Sequence, residues 1–283
     1  MTKQLTISCE FFPPKTDKGI ANMREVRQTL APLNPEFYSV TFGAGGSTQD
    51  NTLAAVIDIQ QDSKITGIDA APHLSCVGST EDSIRDILTT FKENDIRRIV
   101  ALRGDLPSGM RDPGNFRYAN ELIDFIRQET GDHFTIEVAA YPEVHPQADS
   151  AAIDFENFKR KVDAGADSAL TQYFYNIDAY FYFVERCQKA AIEIPIIPGI
   201  MPINNFSQLA RFSDGCGAEI PRWLRKRLEE FADDSESLQA FTLDFLTDFT
   251  DKLINSGVPG LHFYTMNRID PTLTICQRLD LIK

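Results

Sequence analysis

The polar residues best suited to catalysis or ligand binding come directly after short apolar runs of the sequence. Glu10 is the clearest case, because it follows Thr6–Cys9 and precedes two phenylalanines. Apolar surroundings disfavour the charged form of a carboxyl group and raise its pKa toward neutrality, which suits a general acid working near pH 7. The alternative is a structural glutamate paired with a cation. The local sequence does not favour either interpretation of Glu10 over the other.

Arg103, Gly104 and Asp105 form a second candidate, directly after the apolar run Ile99–Leu102. Arginine offers a fork of donors to a phosphate or a carbonyl oxygen. Glycine lets the backbone approach a flat ligand, and Asp105 offers an acceptor for a ring N–H. An arginine–aspartate contact within a loop is the competing interpretation.

Two further features carry less information. The segment GAGGST at 43–48 resembles a phosphate-binding loop, but it lacks the GxGxxG spacing and the GK[ST] ending. We therefore predict a tight turn there, in which Ser47 or Thr48 caps a helix. His73 and His145 have no second histidine or cysteine at metal-ligand spacing, so we expect no metal site.

The elements that position these residues alternate regularly. Short apolar or β-branched runs are separated by longer segments of helical period, and this alternation predicts parallel strands joined by right-handed crossovers. The predicted strands are Thr6–Phe12, Phe37–Phe42, Asp69–Cys76, Arg98–Leu102, Thr135–Ala140, Ser168–Tyr173, Ile194–Ile200 and Gly260–Tyr264.

Eight such units can close into a barrel or lie as an open doubly wound sheet. We favour the barrel because polar or backbone-permissive residues recur at the carboxyl end of nearly every strand, where β/α barrels carry their active sites. Those residues are Glu10, Thr41, His73, Arg103–Asp105, Tyr141, Gln172, Gly199 and Asn267–Arg268. The predicted fold class is α/β, a single (β/α)8 TIM barrel over residues 1–283. An extra helical excursion between Cys216 and Ser237 precedes the last strand and helix.

Composition fits this architecture and excludes several classes of protein. The chain has 283 residues and a formal net charge of −13, so nucleic acid and anionic membranes are unexpected partners. The basic cluster Arg222–Arg227 is interpreted as a solvated helix face. Five widely spaced cysteines predict free thiols. The sequence shows neither a signal peptide nor an apolar run of membrane-spanning length, which predicts a cytoplasmic protein.

The full set of motifs resembles the methylenetetrahydrofolate reductase family, in order along nearly the whole chain. No single motif is as specific as the ordered set. The segments that carry the resemblance are Glu10–Lys15, Thr41–Ala44, Ala71–Leu74, Ala101–Asp105, Tyr141–Pro146, Lys159–Ala166, Thr171–Gln172, Ile197–Ile200 and His262–Arg268.

The resemblance implies a barrel that holds non-covalent FAD at the carboxyl ends of its strands. In this family NADH or NADPH reduces FAD and leaves, and 5,10-methylenetetrahydrofolate then binds and is reduced to 5-methyltetrahydrofolate, a ping-pong reaction that supplies methionine synthesis. The resemblance makes Glu10 the acid that protonates the folate and opens its five-membered ring. It places Asp105 near the flavin and the folate, where its charge tunes the flavin potential and stabilises the cationic intermediate.

The resemblance also implies binding residues. Gln172 orients the pterin, Phe212 stacks on folate or nicotinamide, and Gln208 and Arg268 contact substrate, with Arg268 suited to the carboxylate of the folate tail. The implied FAD contacts are Thr41, His73, Arg103, Gly104, Asp105, Tyr141, His145, Asp154, Asn157, Arg160 and Lys161. We expect a homo-oligomer that binds folate and a nicotinamide nucleotide.

Two alternatives remain at this point. One is another flavin barrel, such as a proline dehydrogenase-like oxidase, which would not need the Glu10–Pro14 opening. The other is a non-enzymatic folate- or flavin-binding subunit of a redox complex, against which the presence of both Glu10 and Asp105 counts. The sequence does not distinguish NADH from NADPH.

Overall fold

The structure is a computed structural model that describes residues 5–42, 49–105, 114–231 and 234–282. Nine strands lie in these residues, and all of their pairings are parallel. They are β1 (Thr6–Phe11), β2 (Phe37–Val40), β3 (Asp69–Ser75), β4 (Arg98–Leu102), β5 (Thr135–Ala140), β6 (Ser168–Thr171), β7 (Ile196–Ile197), β8 (Gly199–Ile200) and β9 (Gly260–Tyr264).

Helices follow the strands in the described parts of the chain. They are α1 (Asp17–Leu30), α2 (Gln49–Thr66), α3 (Glu81–Glu93), α4 (Ala119–Thr130), α5 (Ala151–Asp163), α6 (Ile177–Lys189), α7 (Phe206–Cys216), α8 (Arg222–Glu230), α9 (Ser235–Asn255) and α10 (Thr272–Arg278). Several start at a capping residue, as at α5, where the Ser150 hydroxyl accepts from the Ile153 N–H. No described helix is long and apolar enough to cross a bilayer.

The sheet closes through β7 and β8, which are two halves of one barrel strand. The predicted strand Ile194–Ile200 is interrupted at Pro198, because proline has no N–H to donate to a ladder. Ile196–Ile197 pairs with β6, and Gly199–Ile200 pairs with β9. Because β9 also pairs with β1, the chain of strand pairs returns to its start. The predicted (β/α)8 barrel is confirmed, with this one strand split.

The core has two layers. Phe37, Ala71, Val100, Leu170 and Ile197 pack together inside the barrel, while a much larger cluster lies between strands and helices. Strands buried on both faces, such as β2 and β6, are typical of parallel sheets covered by helices. The alternation of side chains along each strand therefore decides which residues face the barrel interior.

The predicted helical excursion is present as α8, between the strand halves β7–β8 and the long helix α9. Its basic residues lie largely in solvent, and two of them pair within the helix: Lys226 with Glu229 and Arg227 with Glu230, each at 2.7 Å. Leu224 and Leu228 anchor the other face in the core. This arrangement agrees with a solvated helix face.

Candidate active site

A cavity of about 350 Å³ opens at the carboxyl ends of the barrel strands, the end at which barrels of this kind carry their active sites. It brings together five of the predicted site residues. These are Glu10, His73, Tyr141, Gln172 and Phe212. The cavity is also lined by residues that sequence reasoning gave no role, including Phe12, Tyr173, Met201, Cys216, His262, Tyr264 and Met266.

Glu10 lies at the end of β1 with its side chain only 13% exposed. Its Oε2 is 3.3 Å from Nε2 of His73 and 3.7 Å from Nε2 of His262. Burial alone would raise the pKa of this carboxyl group, but the two imidazoles outweigh burial and lower the pKa to about 2. The raised pKa expected from the sequence is therefore wrong for the protein alone, because two histidines from distant parts of the chain face the carboxylate.

His262 is the most informative residue that sequence reasoning left without a role. It is completely buried, and its Nδ1 lies 2.8 Å from Oγ of Ser8, its partner in the β1–β9 register. Tyr264, two residues on, pairs with Glu10 in the same register. The period-two alternation of β9 was the available signal, since it puts His262 and Tyr264 on the same face of the strand.

The opposite wall of the cavity is built around Thr171. The Tyr264 hydroxyl donates to the Thr171 carbonyl at 2.8 Å, and the Gly199 N–H donates to the Thr171 side chain at 2.9 Å. Gln172 follows directly, and its side-chain oxygen accepts from the Tyr173 N–H at 3.0 Å. These hydrogen bonds from Tyr264 and to the Thr171 side chain therefore stabilise the chain around the strand break at Pro198, beside the cavity.

Arg103, Gly104 and Asp105 follow β4 at the rim of the barrel. Gly104 has a φ of +82°, and a Cβ there would lie 2.7 Å from Oγ of Ser75, so only glycine suits this position. Arg103 bonds to the side chain of Gln147 and to the Gly104 carbonyl. Asp105 is exposed, with no described ion pair to Arg103.

Tyr141, His145, Asp154 and Lys161 come together next to this rim. The rings of Tyr141 and His145 meet edge to face at 4.6 Å, and the His145 N–H donates to Asp154 at 3.0 Å. Burial lowers the pKa of Lys161 to about 8, an effect that Asp154 opposes. The charges of Arg103, Asp105 and Lys161 all act on His145, so these predicted residues form one charged neighbourhood.

Other predicted residues lie apart. Arg268 lines a separate cavity of about 580 Å³ beside α1 and α9, and Gln208 lines a small cleft that shares Phe212 with the main cavity. Asn157 and Arg160 bond to each other on α5 at 3.2 Å. The Thr41 carbonyl accepts from Thr52 at the end of β2.

The segment 43–48 lies outside the described residues, so the turn predicted there is not tested. Among the residues that the structure describes, no group of three or more histidine, cysteine, aspartate or glutamate side chains is arranged to hold a metal ion.

Comparison with known proteins gives a consistent result. The family model for methylenetetrahydrofolate reductase matches residues 1–280. The 5,10-methylenetetrahydrofolate reductase of Escherichia coli K12 is 42% identical over 276 residues, which cover 98% of this chain and 91% of that protein. The plant protein named methylenetetrahydrofolate reductase (NADH) 1, from Arabidopsis thaliana, is 38% identical over 292 residues, 99% of this chain and 49% of the plant protein.

A solved structure shares the fold. It is an uncharacterized protein from Clostridium thermocellum that binds two copies of 5-methyl-5,6,7,8-tetrahydrofolic acid, with a TM-score of 0.65 at 16% identity, covering 99% of this chain and 95% of that one. At this identity the likeness supports the barrel alone, whereas the family match extends over nearly every residue. The chain belongs to the methylenetetrahydrofolate reductase family.

Proposed function

We propose that this protein is a flavin-dependent reductase that converts 5,10-methylenetetrahydrofolate to 5-methyltetrahydrofolate, with NADH or NADPH as the electron donor. The observation that carries the proposal is the Glu10 carboxyl group in the cavity at the carboxyl ends of the strands, in a chain matched by the family model from residue 1 to 280. Gln172 and Phe212 line the same cavity. An amide and an aromatic face are what the edge and the face of a pterin ring require.

The described residues fit a non-covalent FAD. Arg103 at the rim and Lys161, whose ammonium group donates to the Ala139 carbonyl, supply positive charge for a pyrophosphate. The backbone of Gly104 lets a flat ring approach. Nε2 of His73 is buried, makes no hydrogen bond beyond its 3.3 Å approach to Glu10 among the described residues, and belongs to a ring that lines the cavity. When bound, the flavin would accept a hydride from the nicotinamide nucleotide and transfer it to the one-carbon unit of the folate.

Positioning of the folate falls to residues on two sides. Gln172 orients the pterin and Phe212, 40% exposed, stacks against it. Gln208 lies in the adjoining cleft. Arg268 lines the neighbouring cavity, a position outside the main cavity that suits the carboxylate of a long folate tail. The proposed order is ping-pong, in which the nicotinamide nucleotide leaves before the folate binds.

Proton transfer to the folate requires that the Glu10 carboxylate first become protonated. In the protein alone its pKa is about 2, so the group is a carboxylate at pH 7. Bound ligands would exclude water from the cavity, and the negative charge of Asp105 at the rim would act in the same direction, because both effects disfavour a carboxylate. Glu10 then gives its proton to the folate nitrogen, which opens the five-membered ring, and the two imidazoles stabilise the carboxylate that remains.

The test is the observation of two half-reactions on the purified protein. Absorbance bands of oxidised flavin should disappear on stopped-flow mixing with NADH or NADPH and return on mixing with 5,10-methylenetetrahydrofolate. Comparison of the two nucleotides identifies the donor; the name of the Arabidopsis relative specifies NADH for that protein. Reduction by proline would favour an oxidase of the proline dehydrogenase type. A protein that takes up no flavin would contradict the proposal.

We also infer that the enzyme works in the cytoplasm. All five cysteines are free, and four of them are buried, as expected where thiols stay reduced.

A further inference from the structure

The imidazole of His262 contains a buried polar atom that the described residues leave without a hydrogen bond. His262 has no exposed surface, and its Nε2 has no hydrogen-bond partner among the described residues. Burial of an unpaired polar atom costs free energy, so native proteins keep few such atoms, and each calls for an explanation. The nearest acidic group is the carboxylate of Glu10, whose Oε2 is 3.7 Å away.

The orientation of the His262 ring is fixed on its other edge. Nδ1 lies 2.8 Å from the hydroxyl of Ser8, which is itself only 3% exposed. The ring also stacks near Phe37 at 6.2 Å and meets Tyr264 edge to face at 5.2 Å. These three contacts come from β1, β2 and β9, so the ring is held from three sides.

The contact between Ser8 and Nδ1 is compatible with either tautomer of His262. A carboxylate beside Nε2 favours the proton on that nitrogen, and the Ser8 hydroxyl then donates to Nδ1. Both imidazoles approach Oε2 of Glu10.

We propose that Ser8 and His262 form a buried positioning pair for Glu10, in which Ser8 sets the tautomer of His262 and the Nε2 edge of His262, 3.7 Å from Oε2, orients the Glu10 carboxyl group for the folate. This inference rests on the proposed reductase function and adds two residues to it. His262 acts through Glu10 and is a positioning residue. Its effect belongs to the folate half-reaction, because only that half-reaction needs the proton.

Two substitutions of His262 distinguish the role of Nδ1 from that of Nε2. His262→Asn keeps an amide near the position of Nδ1, where it can meet Ser8, but leaves nothing facing Glu10. His262→Gln extends an amide toward the position of Nε2 and Glu10. We expect His262→Asn to slow flavin reoxidation by 5,10-methylenetetrahydrofolate by about 100-fold, the lower end of a general-acid contribution, and His262→Gln to retain more than half of the wild-type rate. Flavin reduction by the nucleotide should be unchanged in both.

Ser8→Ala is the second test, since it leaves the ring in place and removes only the hydroxyl. We expect it to slow reoxidation by about 10-fold, the effect of losing one hydrogen bond and less than that of His262→Asn, without loss of bound flavin. His133→Asn is the matched control, because His133 also has a buried, unpaired Nε2 but contacts Arg97 outside the barrel. This control should leave both half-reactions at wild-type rates.

A structural role for His262 predicts a different pattern. His262→Asn and His262→Gln would then lower flavin content and both half-reactions together, and this result would overturn the proposal. Equal reoxidation rates in all variants would overturn it as well. A wild-type protein that binds flavin but is not reoxidised by the folate would instead contradict the proposed function.

Discussion

Oε2 of Glu10 on β1 lies 3.3 Å from Nε2 of His73 on β3, with β2 between the two strands. The sequence assigned these residues to different tasks: Glu10 to proton transfer and His73 to the flavin. Their contact couples the tasks, because a ligand that moves the His73 ring or excludes water around it also changes the environment that keeps Glu10 ionised. The affinity for flavin and the protonation of Glu10 are therefore expected to be linked.

Glu10→Gln should separate the two half-reactions. Glutamine keeps the size and the hydrogen-bonding edge of the side chain but has no acidic proton to give. We expect flavin content and reduction by NADH or NADPH within about twofold of wild type, and reoxidation by the folate lowered by at least about 100-fold. Stopped-flow absorbance measures both rates. Equal loss in the two half-reactions would make Glu10 a structural residue.

The same residue predicts a pH-dependent contribution to folding. The pKa of Glu10 falls from an ordinary 4.5 to about 2 in the folded protein, so ionised Glu10 stabilises the fold above pH 4.5, and this contribution is lost as the pH falls toward 2. Its full size is on the order of 3 kcal/mol. Urea unfolding of wild type and Glu10→Gln at pH 7, 5, 4 and 3 should show the difference between the two proteins shrink below pH 4.5. Parallel curves would contradict the depressed pKa.

Lys161 predicts how FAD binding depends on pH. Burial lowers its pKa to about 8, although Asp154 opposes this, so the ammonium group is charged at pH 7 and loses its proton as the pH rises through 8. If Lys161 binds the pyrophosphate, the affinity for FAD should decrease above pH 8. Lys161→Met should weaken binding by about 10- to 100-fold at pH 7 and remove this part of the pH dependence.

Flavin fluorescence titration from pH 6.5 to 9 measures the FAD affinity of both proteins. Lys159→Met is the control, because Lys159 is on the same helix but pairs with Asp163 at 2.6 Å on the outer surface. Its FAD affinity should equal that of wild type at every pH. A wild-type affinity that does not change between pH 7 and 9 would argue against a role for Lys161 at the pyrophosphate.

Closure of the barrel at Gly199 depends on the absence of a side chain on this residue. A Cβ there would lie 2.4 Å from the Thr171 carbonyl and 2.7 Å from the Tyr264 ring. Gly199→Ala should lower the free energy of unfolding by about 1–3 kcal/mol, the usual cost of overpacking, and displace Tyr264 from the cavity. Gly215→Ala in α7 is the control: a Cβ there meets nothing within 4 Å, so no loss is expected. Equal stabilities by urea unfolding would contradict the close approach.

How much of the structure can be predicted from the sequence depends on the range of the interactions involved. Periodicity and apolar runs are local, and they predicted β4, β5 and β9 with their observed bounds. The split at Pro198 was missed because a two-residue strand on each side of a proline has no pattern of its own.

The electrostatics of the site depend instead on contacts between distant residues. The sequence around Glu10 indicated burial but not the two imidazoles, since His73 and His262 reach Glu10 only after the barrel closes. The direction of the pKa shift of Glu10 could therefore not be predicted from its neighbours in the sequence. The role that we infer for Ser8 follows from the β1–β9 register, which the sequence does not give.

The opposite end of the barrel contains a buried ion cluster that should control stability and not catalysis. Glu137 is completely buried and contacts Arg98 and the Ser168 hydroxyl, while Arg98 also reaches Glu36 and lies 4.5 Å from the Phe37 ring centre. Glu137→Gln leaves the Arg98 guanidinium without its buried counter-charge. Breaking such a pair typically costs about 3–5 kcal/mol; because Glu36 remains as a partner, we expect about 3 kcal/mol by urea unfolding.

A double-mutant cycle with Arg98→Met isolates the pair. If the cluster is a unit, the double variant should be more stable than the sum of the single losses predicts, because no uncompensated buried charge remains and Glu36 is 43% exposed. Asp163→Gln, which breaks the exposed pair with Lys159, should cost under about 1 kcal/mol. Both half-reactions should keep wild-type rates in folded Glu137→Gln protein, since residues at this end of a β/α barrel serve stability and the chemistry lies at the other. A lowered rate of folate reduction with unchanged stability would place Glu137 in the chemistry instead.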